Sequence, residues 1–158
     1  MRGLSKYKKR ILEGDRMYSS ATIAKFINKV MDSGKKSIAE KIVYESLNKA
    51  AKELKKEPLE VFNEAILAVA PSVEVRSRRI GGANYQIPME VREPRRTALA
   101  MRWIIEGAKS KKGAKMSDRL SQEYKDAIGG VGFALKKKTD THRMAEANRA
   151  FAHFAKIR

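Results

Sequence analysis

The sequence predicts a mainly α-helical domain of about six helices, with a two-stranded β-hairpin that protrudes between the third and the fourth helix. Two observations predict this class. Apolar residues recur at the i, i+3, i+4 spacing of a buried helix face along most of the chain. One segment, 76–90 (RSRRIGGANYQIPME), instead joins a Gly-Gly reversal to apolar residues at period two, which is typical of a hairpin. Since no repeat or long linker interrupts the pattern, we expect a single domain over residues 1–158.

Capping residues and prolines set the expected boundaries of the first three helices. Ser19 or Ser20 can cap the first helix, and Gly34 would stop it at the C′ position. The second helix follows and carries an apolar face towards the core. Pro58 fits the first turn of the third helix, and Pro71 forces its end, because proline lacks the amide hydrogen that a helix interior needs.

The second half of the chain continues this pattern after the hairpin. Pro94 opens a fourth helix, and residues 109–115 (KSKKGAK) are expected to form a cationic loop. Ser117 would cap the fifth helix, which ends at the glycine doublet 129–130. A sixth helix is expected to begin near Val131. The remaining expected parts are a basic N-terminal arm (1–18), a ribbon (72–91) and a C-terminal tail (149–158).

Charge points to a polyanionic partner. The 158 residues carry 35 Lys and Arg against 18 Asp and Glu, a formal net charge of +17. Residues 38–66 hold five lysines and six glutamates, so this part is close to neutral and the surplus lies elsewhere. A neutral side and several cationic segments favour one binding face for nucleic acid.

Several other classes of protein find no support in the sequence. There is no cysteine, and His142 and His153 stand eleven residues apart without carboxylates at ligand spacing, so we expect no metal and no cofactor. Neither a phosphate-cradling loop nor a nucleophile elbow is present, which argues against an enzyme. Without a membrane-length apolar run or a signal-peptide core, we expect a cytoplasmic protein that binds no membrane.

Three features are candidate contacts, and two of them have a plainer alternative. Lys35 and Lys36 stand at a helix N-terminus, which favours anions, although they could be ordinary solvated lysines. Arg95, Arg102 and Lys109 recur every seven residues, close to one helical face. Nearby Trp103 could stack on a base, but tryptophan at apolar spacing is more often core.

The ribbon offers a second set of candidates. Arg76, Arg78 and Arg79 precede the glycine turn, and we expect that alanine at these three positions spares the fold and weakens a nucleic-acid contact. Tyr85 follows the turn and is either a stacking platform or part of the core. A basic ribbon of this kind suits a groove or channel of nucleic acid.

Together these segments resemble the bacterial-type family of ribosomal protein seven of the small subunit. The matching stretches are YSSATIAKFINKVMDSGKKSIAEKIVY (18–44), RRIGGANYQIPMEV (78–91), RRTALAMRWI (95–104) and KKKTDTHRMAEANRAFAHF (136–154). Two departures stand out. Arg16 occupies a position where the family usually has proline, and the end of the chain (154–158) lacks the family's common aromatic-arginine-tryptophan finish.

The resemblance implies a structural role in the ribosome. It implies direct binding to the 3′ major domain of 16S ribosomal RNA, nucleation of head assembly, and a position near the exit site. The implied partners are 16S ribosomal RNA, exit-site tRNA, mRNA and ribosomal proteins nine and eleven. Combined with the cationic segments, the implied ribosomal RNA contacts are Arg2, Lys6, Lys8, Lys9, Arg10, Lys35, Lys36, Arg76, Arg95, Arg102, Lys109, Lys111, Lys112, Lys115, Met116, Arg119, Lys136, His142 and Arg143. The residues implied to lie near tRNA or mRNA are Arg78, Arg79, Gly81, Gly82, Asn84 and Tyr85.

Two rival functions remain open at this point. A DNA-binding architectural protein could use the same charge and ribbon. A small RNA-modifying enzyme would need a cofactor loop or an acid–base pair, and the sequence contains neither in a recognisable form. Competition between junction RNA and duplex DNA separates the first rival, and a turnover assay separates the second.

Overall fold

A helical body carries a two-stranded ribbon in a computed structural model that describes residues 13–156. The elements in chain order are α1 (Ala21–Val30), α2 (Lys36–Leu54), α3 (Pro58–Val69), β1 (Val73–Ile80), β2 (Ala83–Glu90), α4 (Glu93–Ser110), α5 (Met116–Ile128), α6 (Phe133–Ala147) and a 3₁₀ helix (Arg149–Lys156). The predicted class is confirmed, with the hairpin between the third and the fourth helix.

The main hydrophobic core lies between the helices. Phe26 of α1, Phe62 of α3 and Tyr124 of α5 are fully buried, and their ring centroids lie 5.3 to 6.4 Å apart. Such tilted and edge-on arrangements are favourable for aromatic rings. Trp103 of α4 is 9% exposed and belongs to the same cluster, so its core role, and not a base-stacking role, is the one that the fold supports.

Most expected helix starts are confirmed. The Ser20 side chain caps α1 by accepting a hydrogen bond from the amide of Ile23. Pro58 and Pro94 stand in the first turns of α3 and α4. The expected stop at Gly34 is wrong, because α1 ends at Val30 with Met31 as its C-cap. Gly34, with φ of +73°, instead shapes the turn that leads into α2.

Two expectations for the segment between α4 and α5 are also corrected. α4 continues through Ser110, so the cationic loop is 111–115 and Lys109 belongs to the last helical turn. Ser117 does not cap α5, since the helix begins at Met116 with Lys115 at the N-cap position. Ser117 is 2% exposed and faces the interior. In the sequence, a serine before an apolar run predicts an N-cap. Ser117 is instead a buried residue within the first turn of α5.

The ribbon is a regular antiparallel hairpin. Its register runs from the pair Val73 and Glu90 to the pair Ile80 and Ala83. The two residues between the strands, Gly81 and Gly82, have φ of +57° and +90°. A two-residue hairpin turn of type I′ requires positive φ at both positions, and glycine adopts it without steric cost.

One face of the ribbon is buried against the C-terminal part of the chain. Ile87 on β2 is 1% exposed, although it lies apart from the main core. The ring of Tyr85 lies 5.3 Å from both Phe151 and Phe154 of the 3₁₀ helix. The expected period-two face is therefore confirmed, and the segment expected as a tail is a brace along β2.

Three side chains fasten the connection between α3 and the ribbon. The amide of Ser72 donates to Nε2 of His142 at 3.1 Å. Nζ of Lys138 donates to the carbonyl of Ala68 at 2.7 Å, and Nε of Arg96 donates to the carbonyl of Pro71 at 3.1 Å. Because His142 and Lys138 belong to α6 and Arg96 to α4, both helices fix where the ribbon leaves the body.

Candidate nucleic-acid interface

Three lysines on α2, on α5 and in the turn after α2 are neutralised by carboxylates of the chain. Lys49 pairs with Asp118 and Lys125 pairs with Glu53, which joins α2 to α5. Lys56 pairs with Glu64 at 2.7 Å. These pairs lie in and beside the near-neutral region that the sequence defines. Cations that are already compensated by carboxylates add little to the attraction of a polyanion.

Many of the predicted RNA contacts, by contrast, are not neutralised by any carboxylate among the described residues. They are exposed and form no ion pair with any residue in 13–156, and we refer to them as the unpaired cations. The unpaired cations are Lys35, Lys36, Arg79, Arg102, Lys109, Lys112, Lys115 and Lys136. They lie on the turn before α2, on the ribbon, along α4, in the loop 111–115 and on α6.

The start of α2 combines two of these lysines with a helix N-terminus that has no side-chain cap. Lys35 is the N-cap residue and makes no side-chain cap, and no acidic side chain stands in the first turn. Lys36 is exposed beside it. Amide hydrogens at a helix N-terminus carry partial positive charge, so this end of α2 suits an anion such as a phosphate.

One face of α4 is exposed to solvent and the other is buried in the core. Arg102 and Lys109 are exposed, whereas Leu99 and Trp103 are buried. Arg95, at the start of the same row, is held by Glu74, with Nη2 of Arg95 at 3.2 Å from Oε2 of Glu74. The predicted row of three cations is therefore in place, and its first member also has an internal partner.

The loop 111–115 contains cations of two kinds. Lys112 and Lys115 are exposed. Lys111 instead turns inwards, with its Nζ at 2.9 Å from Glu123 and 2.7 Å from Asp126. Arg119 donates to the carbonyls of Lys111 and Ala114, both at 2.7 Å. Met116, also a predicted contact, is half-buried against the core.

Two predicted contacts on α6 have partners within the chain. Arg143 pairs with Asp140 at 3.0 Å but remains 80% exposed, so its guanidinium stays accessible. Nε2 of His142 accepts the Ser72 amide hydrogen. Burial and, to a lesser degree, the charge of Lys138 hold the pKa of His142 below its ordinary value. A neutral imidazole is the form that can accept this hydrogen bond.

The tip of the ribbon is exposed, whereas the arginines nearer its base are bonded to other residues of the chain. Arg76 donates to Glu74, with Nη2 at 2.7 Å from Oε1. Nη1 of Arg78 lies 3.5 Å from the carbonyl of Phe154. Arg79 is exposed, as are the predicted tip residues Gly81, Gly82 and Asn84. Tyr85, by contrast, packs on the 3₁₀ helix, so its ring is not an open platform for a base.

Sequence reasoning missed the acidic residues that organise these cations. Glu74 is 8% exposed and Glu123 is 1% exposed, and each receives at least one basic side chain. Asp15, at 8%, organises the backbone and not a cation, since it accepts hydrogen bonds from the amides of Met17, Tyr18 and Ser20. A usable signal existed for Glu123, since it lies on the apolar face of α5 one residue before Tyr124.

Some predictions lie outside the part of the chain that the structure describes. These are the contacts expected in the N-terminal arm, namely Arg2, Lys6, Lys8, Lys9 and Arg10. Within residues 13–156, no cluster of three or more histidine and acidic side chains could hold a metal ion. No helix among the described residues is long and apolar enough to cross a membrane.

A helical body with a braced basic ribbon and a set of unpaired cations defines a nucleic-acid-binding protein. A family model described as ribosomal protein S7p/S5e matches residues 2–149. The small ribosomal subunit protein uS7 of Thermotoga neapolitana is 55% identical over 146 residues, which cover 92% of this chain and 94% of that protein. The protein of the same name from Chloroflexus aggregans is 50% identical over 149 residues, or 94% and 95% of the two chains.

The chain belongs to the ribosomal protein S7p/S5e family. The resemblance seen in the sequence is thus confirmed, and with it the prediction of a ribosomal, RNA-binding protein of the small subunit. The family consists of structural components of the ribosome and not of enzymes, which agrees with the expectation of a non-catalytic protein.

Proposed function

We propose that the chain is a primary binder of the 3′ major domain of 16S ribosomal RNA and that it nucleates assembly of the head of the small subunit. The observation that carries this proposal is the division between paired and unpaired cations. The lysines Lys49, Lys56 and Lys125 are compensated by carboxylates, whereas the unpaired cations are presented to solvent by several elements. A polyanion with several phosphate-bearing strands fits such an arrangement better than a single duplex does.

The mechanism is electrostatic neutralisation combined with shape. Base edges of duplex RNA lie in a deep and narrow major groove, so a protein recognises an RNA junction mainly by its backbone geometry. The buried core fixes α2, α4 and α6, and these helices fix the relative positions of their exposed lysines and arginines. One folded RNA places its phosphates opposite that array, and we propose that this match gives the specificity.

We further propose that the ribbon contacts exit-site tRNA and mRNA, and that ribosomal proteins nine and eleven are neighbours. The tip formed by Arg79, Gly81, Gly82 and Asn84 is exposed and carries positive charge. The glycine turn allows close approach of a backbone, because no side chain projects from either residue. The predicted single RNA-binding domain, with the arm 1–18 and the ribbon 72–91, is part of this proposal.

Direct binding tests the proposed RNA. Purified chain is titrated with a transcript of the 3′ major domain of 16S ribosomal RNA, with an unrelated transcript of equal length, and with duplex DNA at the same salt concentration. We expect preference for the first transcript by at least tenfold. Equal affinity for the duplex DNA would favour the architectural rival, and equal affinity for the two transcripts would overturn the proposal.

A further inference from the structure

The loop 111–115 is held by two independent sets of bonds, one from Arg119 of α5 and one from its own Lys111. Nε and Nη1 of Arg119 donate to the carbonyls of Ala114 and Lys111, each at 2.7 Å. These two carbonyls stand at opposite ends of the loop, and Arg119 lies one turn into α5. The guanidinium therefore spans the loop from inside and fixes the distance between its ends. Hydrogen bonds with a charged donor are stronger than neutral ones.

Lys111 supplies the second attachment. Its side chain reaches Glu123 at 2.9 Å and Asp126 at 2.7 Å. Burial lowers the pKa of Lys111, but hydrogen bonds from the ammonium to Asp126 and Glu123 outweigh this, so the pKa is raised above its ordinary value and the side chain stays charged. Its charge is compensated twice over by the two carboxylates, which leaves little of it to attract phosphate.

Glu123 connects this loop to the next helix. Its Oε1 accepts the amide hydrogen of Ala134 at 3.0 Å, in the first turn of α6. A Cβ on Gly107 would lie 2.5 Å from the same oxygen, so α4 approaches Glu123 closely at a residue without a side chain. The carboxylate thus meets α4, the loop and α6 at one buried point, and it ties the loop to two helices that bear other unpaired cations.

We propose that Arg119 and Lys111 are positioning residues for the RNA contact, and that the loop binds phosphate through Lys112 and Lys115. This inference rests on the proposed function, and it assigns two of the predicted contacts a different role. Lys112 and Lys115 are exposed and unpaired, and between them stands Gly113 with φ of +83°. The bonds made by Arg119 and Lys111 form a clasp. The clasp holds this short segment so that the ammonium groups of Lys112 and Lys115 project together.

A double-mutant cycle tests the assignment, with the transcript of the 3′ major domain as the probe. One phosphate contact is worth roughly tenfold in affinity near 0.1 M salt. In the wild-type background we expect Lys112→Ala to weaken binding by about tenfold. In the Arg119→Lys background we expect the same change to cost less than about twofold, because a lysine retains the charge but cannot bond both carbonyls and leaves the loop unfixed.

The alternative hypothesis, that Arg119 itself contacts an RNA phosphate, makes the opposite prediction. Its Nη2 could reach a phosphate, and then Arg119→Lys would keep most of the affinity while Lys112→Ala would cost the same in both backgrounds. That additive result would overturn the proposal. Arg92→Lys serves as the matched control, since Arg92 is exposed, forms no ion pair within residues 13–156 and is not among the proposed contacts, and we expect it to bind like the wild type.

Amide hydrogen exchange of the free protein separates this proposal from the proposed function. The clasp predicts faster exchange at residues 112–114 in Arg119→Lys and unchanged exchange in the core helices. Unchanged exchange in the loop would overturn the clasp, even if RNA binding falls. If the wild type fails to prefer the ribosomal transcript, the proposed function fails, while the exchange result still decides whether Arg119 holds the loop.

Discussion

Glu74 and Arg95 join the ribbon to the helical body. Oε2 of Glu74, on β1, lies 3.2 Å from both Nε and Nη2 of Arg95, at the start of α4. The other carboxylate oxygen accepts two bonds from Arg76. Burial raises the pKa of Glu74, but the hydrogen bonds from Arg76 and Arg95 outweigh it and hold the pKa below its ordinary value. The carboxylate is therefore charged and sets the angle at which the ribbon leaves α4.

Replacing Glu74 by glutamine should weaken this joint. The neutral amide leaves two arginines without their anionic partner, and because both guanidinium groups are about half-exposed we expect a loss of about 1 kcal/mol in the free energy of unfolding. Urea denaturation followed by circular dichroism measures it. The control is Glu90→Gln, an exposed residue at the base of the same ribbon. Equal stability of the two variants would contradict the role of Glu74.

The ribbon arginines should separate into two groups. Arg79→Ala should leave the thermal midpoint unchanged and weaken tRNA binding, because the side chain is exposed and unpaired within residues 13–156. Arg76→Ala should lower the midpoint, because Arg76 bonds the buried carboxylate of Glu74. The sequence led us to expect that all three arginines are dispensable for folding, and the structure limits that expectation to Arg79. A midpoint shift in Arg79→Ala would argue against this division.

The C-terminal 3₁₀ helix should control the order of the ribbon. Phe154→Ala removes a ring that packs on Tyr85 at 5.3 Å. Aromatic pairs contribute about 0.5–1.5 kcal/mol beyond their buried area, so we expect exchange of the β2 amides to quicken by roughly three- to tenfold. Met144→Ala, at an exposed position of α6, is the control and should change nothing. Unaltered exchange in Phe154→Ala would show that the ribbon does not depend on this brace.

Acid should weaken the start of α1 through Asp15. Burial raises the pKa of Asp15, but hydrogen bonds from the amides of Tyr18, Ser20 and Met17 outweigh it and lower the pKa from 3.8. A carboxyl group with a depressed folded-state pKa contributes stability that is present above its unfolded pKa and is lost as the pH falls through the folded value. We expect Asp15→Asn to be about 1–2 kcal/mol less stable than the wild type at pH 6.

The pH dependence supplies the check on this assignment. As the pH falls below the ordinary value of 3.8 and through the lower folded-state pKa of Asp15, the wild-type carboxyl becomes protonated, so the stability gap between the two proteins should narrow. Other carboxyl groups titrate in both proteins and cancel in the difference. Thermal melts at pH 6 and below pH 3 measure the gap. A constant gap would mean that the Asp15 charge does not matter for stability.

The helices and the turn were readable from the sequence because their causes are local. Apolar spacing located the buried faces of α1 to α5, and Pro58 and Pro94 marked two helix starts. Gly81 and Gly82 identified the hairpin turn, since few residues tolerate positive φ at both positions. Each of these features depends on neighbours within a few residues. For that reason the order of the six α-helices and the hairpin could be predicted, whereas the 3₁₀ helix, which packs on the distant strand β2, was expected as a tail.

The sequence did not show which cations are paired and which face solvent, because this depends on contacts between distant segments. Lys111 and Lys112 are adjacent and chemically identical, yet Lys111 is neutralised by α5 and Lys112 faces solvent. His142 lies among basic residues in the sequence, and its partner, Ser72, is 70 positions away. Helical periodicity does not indicate which carboxylate a lysine meets.

The central claim is that the unpaired cations bind ribosomal RNA by neutralising its phosphates. The most direct test is the salt dependence of binding to the 3′ major domain transcript, measured by filter binding over a series of monovalent salt concentrations. Each neutralised phosphate contributes roughly −0.7 to −0.9 to the slope of log affinity against log salt, so several contacts should give a slope of several units. A slope near zero would contradict the account.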